Sequence, residues 1–492
     1  MNRRKFLVSS LASSAMCALR SRLLQATDGA AEQAGLREKL MSDPLRPQFH
    51  LLPRANWMND PCAPRFFRGQ YHMFFQYNPG AAVWGDMHWA HAVSPDLIHW
   101  KHLPVALSPT PGSYDAYGCF TGSVLPGVDV PSILYTGVTK CSPQEETIRG
   151  EGVREVQCLA TSTDPALGRW TKLPKPVLEA PPPGLKITGF RDPCPWKDGD
   201  TWYMGVGSGF SKVGGAVLLY TSRDGRNWTY LHPLAQGKWN GGTKVNPVDT
   251  GEMWECPDFF PLGDKHVLLY STERKVYWEV GAFDKRDLRF HTETRGLLDH
   301  GSYYAMKSMV DEKGRRILWG WVQETRSPEE CKVAGWAGAM ALPRVLSLGP
   351  DNTLRMDVPP EFASLRTDTQ KLIKNRAGEI ICKFKVGQSA CGLELRSGTT
   401  SLFAIHCEGA SSATIGGKTV PLSPDRDGLA SLRLFIDGSI IETFLNSKEA
   451  VTARCYTPSE PDIQVAWTGA EDAFSSLDVF STKPISEDRL TI

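Results

Sequence analysis

The sequence predicts an all-β fold, a five-bladed β-propeller followed by a C-terminal β-sandwich. Three observations carry that reading. A turn followed by an apolar, aromatic-rich strand recurs five times between residues 66 and 323. No long segment of 3.6-residue period appears between residues 50 and 350, which sets the helical alternative aside. Past residue 366 the chain changes to short alternating strands separated by tight turns. The length of 492 residues is too great for one ordinary core and asks for two domains.

The chain opens with MNRRKFLVSSLASSAMCALR. Arg3, Arg4 and Lys5 precede an apolar run from Phe6 to Leu19, the pattern of a twin-arginine-type export signal. Residues 1–30 are expected to be this signal and a linker, with export to the periplasm or out of the cell. The run is too short to span a bilayer comfortably, and no other stretch reaches spanning length, so the mature chain is expected to have no membrane span. SAMC, ending at Cys17, is a poor lipoprotein box.

The propeller is expected over residues 45–352. Its hairpins are FFRGQYHMFFQYNP from Phe66, GSVLPGVDVPSILYTGV from Gly122, WKDGDTWYMGVGS from Trp196, FPLGDKHVLLYST from Phe260 and VDEKGRRILWGWVQ from Val310. The second strands start near Tyr71, Ser132, Trp202, His266 and Arg316, each after a Gly- or Asp-containing turn. A second echo, Ser-x-Asp and then tryptophan, ends at Trp100, Trp170 and Trp228. Repeated four-stranded units of this length are propeller blades. MDVPPEFASLR, residues 356–366, carries two prolines and marks the linker. The sandwich is expected over residues 365–492, where EIICKFKV, CGLELRS, LFAIHC, ASLRLFIDGSIIETFLN and DIQVAW alternate apolar and polar residues. Its acids form no motif, which points to a structural or accessory domain.

Composition narrows the partners. The chain has 55 basic and 54 acidic residues, so no basic field exists to hold nucleic acid or an acidic membrane surface. A neutral partner fits better. Most of the 15 tryptophans should supply buried area, and a few could stack on sugar. The 12 cysteines include no C-x-x-C pair, too few for a disulfide scaffold and wrongly spaced for structural zinc. Loss of Cys17 with the signal leaves an odd number. A chain exported folded acquires its fold in a reducing compartment, so free, buried thiols are expected. His88/His91 and His99/His102 would face opposite ways in an extended segment and would not chelate. No metal and no cofactor are expected.

Three acidic motifs fall at matching places. NDP with Asp60 precedes the first hairpin, FRDP with Asp192 the third, and WECPD with Glu255 the fourth. The strand that opens a blade is innermost and lines the central channel. These carboxylates should therefore converge at one mouth of it. A single Asp-Pro is an ordinary turn element; three acids opening three blades are hard to explain as solvated surface. GCFTGS, with Phe120 and Thr121, opens the second blade, and YYAMKS, with Tyr304, the fifth. Gln76, Trp84 and Trp336 fall on strand ends or loops. Arg191 can hold a carboxylate or a hydroxyl in fixed geometry. Aromatic faces, amides and hydroxyls around carboxylates suit a sugar.

The motifs WMNDP, YHMFFQYNP, WGDMHWAHAVSPDLIHW, FRDP, MWECPDFF, RRILWGW and GWAGAMALPR resemble glycoside hydrolase family 32, the invertase, inulinase and levanase family. The resemblance runs from about residue 48 to the C-terminal end, and LRLFIDGSIIETFLN is similar to the family's sandwich domain. It implies a five-bladed propeller followed by a β-sandwich, and cleavage of a β-D-fructofuranosyl bond with retention. It implies Asp60 as the nucleophile on C2 of fructose, Glu255 as general acid and then base, and Asp192 as the residue that holds fructose hydroxyls and stabilises the transition state. Asn59, Gln76, Trp84, Phe120, Thr121, Arg191, Tyr304 and Trp336 match positions that line the family's fructose subsite.

That chemistry needs these residue types. A fructosyl transition state is positive, so a carboxylate stabilises and captures it. The leaving alkoxide needs a proton. Retention asks for carboxyl groups roughly 5–5.5 Å apart. The nucleophile must be ionised, so an ordinary or lowered pKa is expected for Asp60. Departures from the family pattern fall at Cys62–Ala63 (usually Asn-Gly), Thr121 (usually Ser) and Ser302 (usually Asp). They bear on the shape beyond the fructose subsite. A Cys-Ala pair also occurs among transfructosylating relatives. The expectation is an exo-acting β-fructofuranosidase on sucrose or fructans. The alternatives are a transfructosylase with the same covalent intermediate, a non-catalytic sugar-binding propeller, and an inverting arabinan or xylan hydrolase with a wider carboxyl separation.

Overall fold

The computed structural model describes residues 34–147, 152–369, 371–386, 390–407, 409, 411–458, 460–469 and 473–487. The expected export signal lies outside the described residues. The chain divides into two compact units, Met1–Asp43 and Pro44–Ile492. In the first, residues 34–42 are helical. No helix among the described residues is long and apolar enough to cross a membrane.

The second unit is built from antiparallel sheets. Blade 1 runs Asn56–Phe67, Gln70–Asn78, His88–Ser94 and Lys101–Leu107. Blade 2 runs Gly118–Leu125, Ser132–Lys140, Val153–Thr161 and Thr171–Lys172. Blade 3 runs Arg191–Asp198, Thr201–Phe210, Gly214–Ser222 and Thr229–Gln236, and blade 4 runs Glu255–Leu262, Lys265–Thr272, Lys275–Asp284 and Arg289–Leu297. Blade 5 runs Tyr303–Val310, Arg316–Val322, Arg344–Leu348 and Leu354–Asp357. The second strands begin at Gln70, Ser132, Thr201, Lys265 and Arg316, within one residue of the starts that the hairpin pattern predicts. Turn chemistry is local, which is why it could be read so closely.

The first strands of the blades touch in the order 1, 2, 3, 4, 5 and back to 1, so they line a closed central channel. Trp336–Ala337 closes the ring by pairing in parallel with Asn56 and Trp57 of blade 1. Between the third and fourth strands of blades 1 to 3, Asp96, Asp164 and Asp224 accept backbone N–H groups of the next turn, which explains the Ser-x-Asp echo. Apolar side chains fill the space between blades; Phe74 and Trp89 of blade 1 pack with Ile133 and Tyr135 of blade 2.

Each inner strand is irregular near its start. In blades 1, 3, 4 and 5 two residues there face one residue of the second strand: Asn59 and Asp60, Asp192 and Pro193, Cys256 and Pro257, Ala305 and Met306. In blade 2 the extra residue is Thr121. A bulge bends its strand and re-aims its side chains. Asp192, Cys256 and Ala305 take left-handed backbone, with φ of 66°, 50° and 52°. For non-glycine residues that costs roughly 1–3 kcal/mol each and persists only where the surroundings impose it. The bulge N–H groups are bonded by the preceding blade. Asp192 N–H donates to Thr136 Oγ1 at 2.9 Å, Cys256 N–H to Asp192 Oδ2 at 2.7 Å and Ala305 N–H to Ser271 Oγ at 3.0 Å.

Two six-stranded antiparallel sheets follow over residues 366–482. Ile380, Leu393, Leu395, Leu434, Ile436 and Ile441 belong to the single core that they share. The eleven described cysteines are all free, and all but Cys141 are buried.

Candidate active site

The five bulges bring the predicted acids to one mouth of the channel. Asp60 is half-buried and tightly held. Asn59 Nδ2 donates to its Oδ1 at 3.0 Å, and Thr121 Oγ1 donates to its Oδ2 at 2.7 Å. Trp57 Nε1 donates to Asn59 Oδ1 at 2.8 Å, which turns the amide nitrogen toward Asp60. Gln76 stands opposite the bulge and donates to Thr121 Oγ1 at 3.1 Å. The Cys256 thiol, on blade 4, reaches Asp60 Oδ2 at 3.4 Å. Since Cys256 follows Glu255, this contact ties the first acid to the strand of the third.

Glu255 is gripped from two sides. Arg191 Nη2 and Nε donate to its Oε1 at 2.7 and 3.2 Å, and the Tyr304 hydroxyl donates to its Oε2. Arg191 also bonds Glu155 Oε1 through Nη1 at 3.0 Å. Glu155 is fully buried and accepts from the Phe190 N–H at 2.7 Å and Thr147 Oγ1 at 3.0 Å. Sequence reasoning missed it. The available signal was weak, an acid beside Arg154 and Gln157 in the strand VREVQCLAT.

The electrostatics depart from one expectation. Asp60 was expected to have an ordinary or lowered pKa. It is raised: burial outweighs the bonds from Thr121, Asn59 and Cys256, and the charge of Glu255 adds to the rise. Asp192 is pushed up to about 7, first by burial and then by Glu255 and Asp60, against the pull of Arg191 and Lys307. The donors around Asp60 were readable in the motifs, but the depth of burial was not.

The remaining predicted residues are placed as follows. Trp84 stands at the rim, 50% exposed, with its ring edge-on to Phe120 at 6.0 Å. Trp336 is fully buried, with the Arg326 guanidinium 4.4 Å from its ring centre. Cys62, the first departure from the family pattern, is buried behind Asp60 with its thiol 3.6 Å from the Asp60 carbonyl oxygen.

The model of the glycosyl hydrolases family 32 N-terminal domain matches residues 50–357, and that of the family 32 C terminal matches residues 373–481. The sucrose-6-phosphate hydrolase of Escherichia coli is 37% identical over 461 residues, covering 84% of this chain and 90% of that protein. A family 32 β-fructofuranosidase of Bombyx mori has a similar solved structure, with a TM-score of 0.76 and 28% identity over 94% of this chain and 99% of that one. Fructan 1-exohydrolase IIa from Cichorium intybus gives a TM-score of 0.71 and 26% identity over 90% of this chain and 98% of that one. The chain belongs to glycosyl hydrolases family 32 and is a glycoside hydrolase.

Proposed function

We propose that this protein is an exported, retaining, exo-acting β-fructofuranosidase that releases fructose from sucrose or from fructan ends. The observation that carries the reading is the pairing of Asp60 and Glu255 across the channel mouth. Glu255 is oriented by Arg191 and Tyr304, Asp60 by Asn59 and Thr121, and the Cys256 thiol links the two strands. Asp60 attacks C2 of the fructosyl unit while Glu255 protonates the leaving oxygen. A fructosyl ester of Asp60 forms with inversion. Glu255 then takes a proton from water, which attacks C2 with a second inversion and frees the carboxylate. Asp192 binds fructose hydroxyls through the oxygen that the Cys256 N–H leaves free.

Several facts support the finer points. A channel mouth rimmed by Trp84 and Phe120 suits a terminal sugar better than an internal one. A variant of the Bombyx mori enzyme was solved with sucrose, and a variant of the Cichorium intybus enzyme with 1-kestose. The signal-like start supports export of a folded chain. Cys62–Ala63 beside the nucleophile keeps transfer to a second sugar as the competing reading.

The test is a product chromatogram of purified protein with sucrose, inulin and levan, repeated with methanol present. Free fructose and methyl β-D-fructofuranoside are the expected products. The α-methyl product would overturn retention. Fructo-oligomers from concentrated sucrose would move the assignment to transfer. No fructose from any of the three sugars would bring the sugar-binding reading forward.

A further inference from the structure

The channel has a second mouth, and its charge is opposite. The far halves of the five inner strands, with the start of the second strand of blade 5, enclose a cavity of about 440 Å³. Arg65, Lys197, Lys307 and Arg316 line it, and Asp258 is the one carboxylate among its lining residues. Among the described residues none of the four cations forms an ion pair with a carboxylate. Lys197 Nζ donates to the Gly127 carbonyl at 3.2 Å, and Lys307 Nζ to the Pro257 carbonyl at 2.8 Å. Among the described residues Arg316 makes one long bond, Nη1 to Ser308 Oγ at 3.4 Å, and its Nε has no partner. Among the same residues Arg65 leaves both Nε and Nη1 without one, and the Ser123 hydroxyl is likewise unbonded. Each guanidinium rests on a ring, Arg65 on Phe67 at 4.6 Å and Arg316 on Phe260 at 4.3 Å, which fixes its plane. Asp258 is engaged by the Ser308 N–H at 2.8 Å and by the Cys194 thiol.

A half-buried cation without a counter-ion is costly. Here burial alone pushes the Arg65 guanidinium below its ordinary value, and it lowers Arg316 despite Asp258. Four positive charges around one concave space focus a positive potential there. Two ring-stacked guanidiniums offer planar donor forks that match the oxygens of a tetrahedral anion better than a spherical halide. We propose that the far mouth of the channel is a binding site for a small oxyanion of the phosphate class, separate from the sugar site at the near mouth. Asp60 and Arg65 are five residues apart on one inner strand, so the two sites are roughly 15 Å apart. Lys307 lies between them and acts through space on both Asp258 and Asp192.

The test is a titration of the full chain with inorganic phosphate at fixed ionic strength, read by calorimetry and by thermal unfolding. The expected result is a saturable heat and a Tm that rises and levels off, which sodium chloride at the same ionic strength does not reproduce. R65M/R316M should lose the phosphate-dependent rise at unchanged sucrose turnover. Should that pair fail to fold, Arg316→Gln alone should weaken binding by about tenfold or more. Absence of a saturable signal in the unmodified protein, or an equal rise in the variants, would overturn the site.

Discussion

Two regions of this molecule bury carboxylates, and they treat them in opposite ways. Where the propeller meets the sandwich, Asp299, Asp437 and Glu442 are fully buried, and each faces a cation. Arg344 Nη2 reaches Asp299 at 2.8 Å and Glu442 at 2.9 Å. His50 bridges Asp437 at 2.7 Å and Glu442 at 3.1 Å. Asp437 also accepts the backbone N–H groups of Gln48, Phe49 and His50. Burial pushes the Glu442 carboxyl up, yet His50 and Arg344 bring it below the ordinary range. At the channel mouth, Glu155 and Glu255 share one guanidinium, Arg191, and Asp60 makes no bond to a cation among the described residues. Asp60 and Asp192 are left above the ordinary carboxylate range. The residue types are the same. What differs is whether the counter-charges are complete. A complete set joins two domains; an incomplete set holds negative charge in reserve for a cationic transition state.

Breaking one partner in each region should separate the two roles. Glu255→Gln should lower kcat for sucrose by roughly 10²–10⁴-fold, the range for loss of a general acid–base group. Its Tm should hold or rise, because one crowded charge is gone. Arg344→Met should do the reverse. It strands Asp299 and Glu442 in the interior, at a cost of about 3–5 kcal/mol in chemical unfolding, with kcat of the folded fraction unchanged. An equal loss of activity in both variants would erase the distinction.

Buried groups that titrate set the response to pH. Blade 1 buries His72 and His102, and burial lowers them to about 4 and about 3. Unfolded histidines take up protons below about 6.5. The native state resists those protons, so the contribution of these two is full above that value and is lost as the pH falls toward 4 and 3. His50 has the opposite sign. Burial lowers it, but Asp437 and Glu442 hold it above its ordinary value. Its contribution is full below about 6.5 and fades as the pH rises through the native value. Burial lowers His91 and His266 as well, whereas the raised Asp60 and Asp192 side with His50, because the native state takes up their protons before the unfolded chain does. With four groups against three, Tm should fall from pH 7 to pH 4. A flat Tm across that range would contradict the burial argument.

A smaller effect should sharpen the picture of the mouth. Glu155→Gln frees Arg191 to bind Glu255 more tightly. It should lower kcat by about tenfold, the equivalent of about 1.4 kcal/mol of barrier, and shift the pH–rate profile while leaving KM within about twofold, because Glu155 touches Glu255 only through Arg191. A change in KM alone would mean that Glu155 only shapes the pocket.

Much of this was legible in the sequence, because it is local. Hairpin turns at Arg68–Gly69, Gly199–Asp200 and Gly263–Asp264 set the strand starts, and Asp60, Asp192 and Glu255 open their blades as the repeat implies. The rest depends on distance in the chain. The bulges that aim the acids fall on the residues of the acidic motifs, but they arise from pairing with the next strand, which the motifs alone do not announce. Arg344, Asp299, Asp437 and His50 are single polar residues far apart in sequence, and only the packed fold makes them one network. The raised Asp60 follows from burial depth, which the donors around it could not reveal.

The most direct test of the account is fructose release from sucrose by Asp60→Asn beside the unmodified protein, with Tm measured on the same samples. The variant should have an equal or higher Tm and release no detectable fructose. Fructose released at the unmodified rate by a fully folded Asp60→Asn would show that the uncompensated carboxylate at the channel mouth is not the nucleophile.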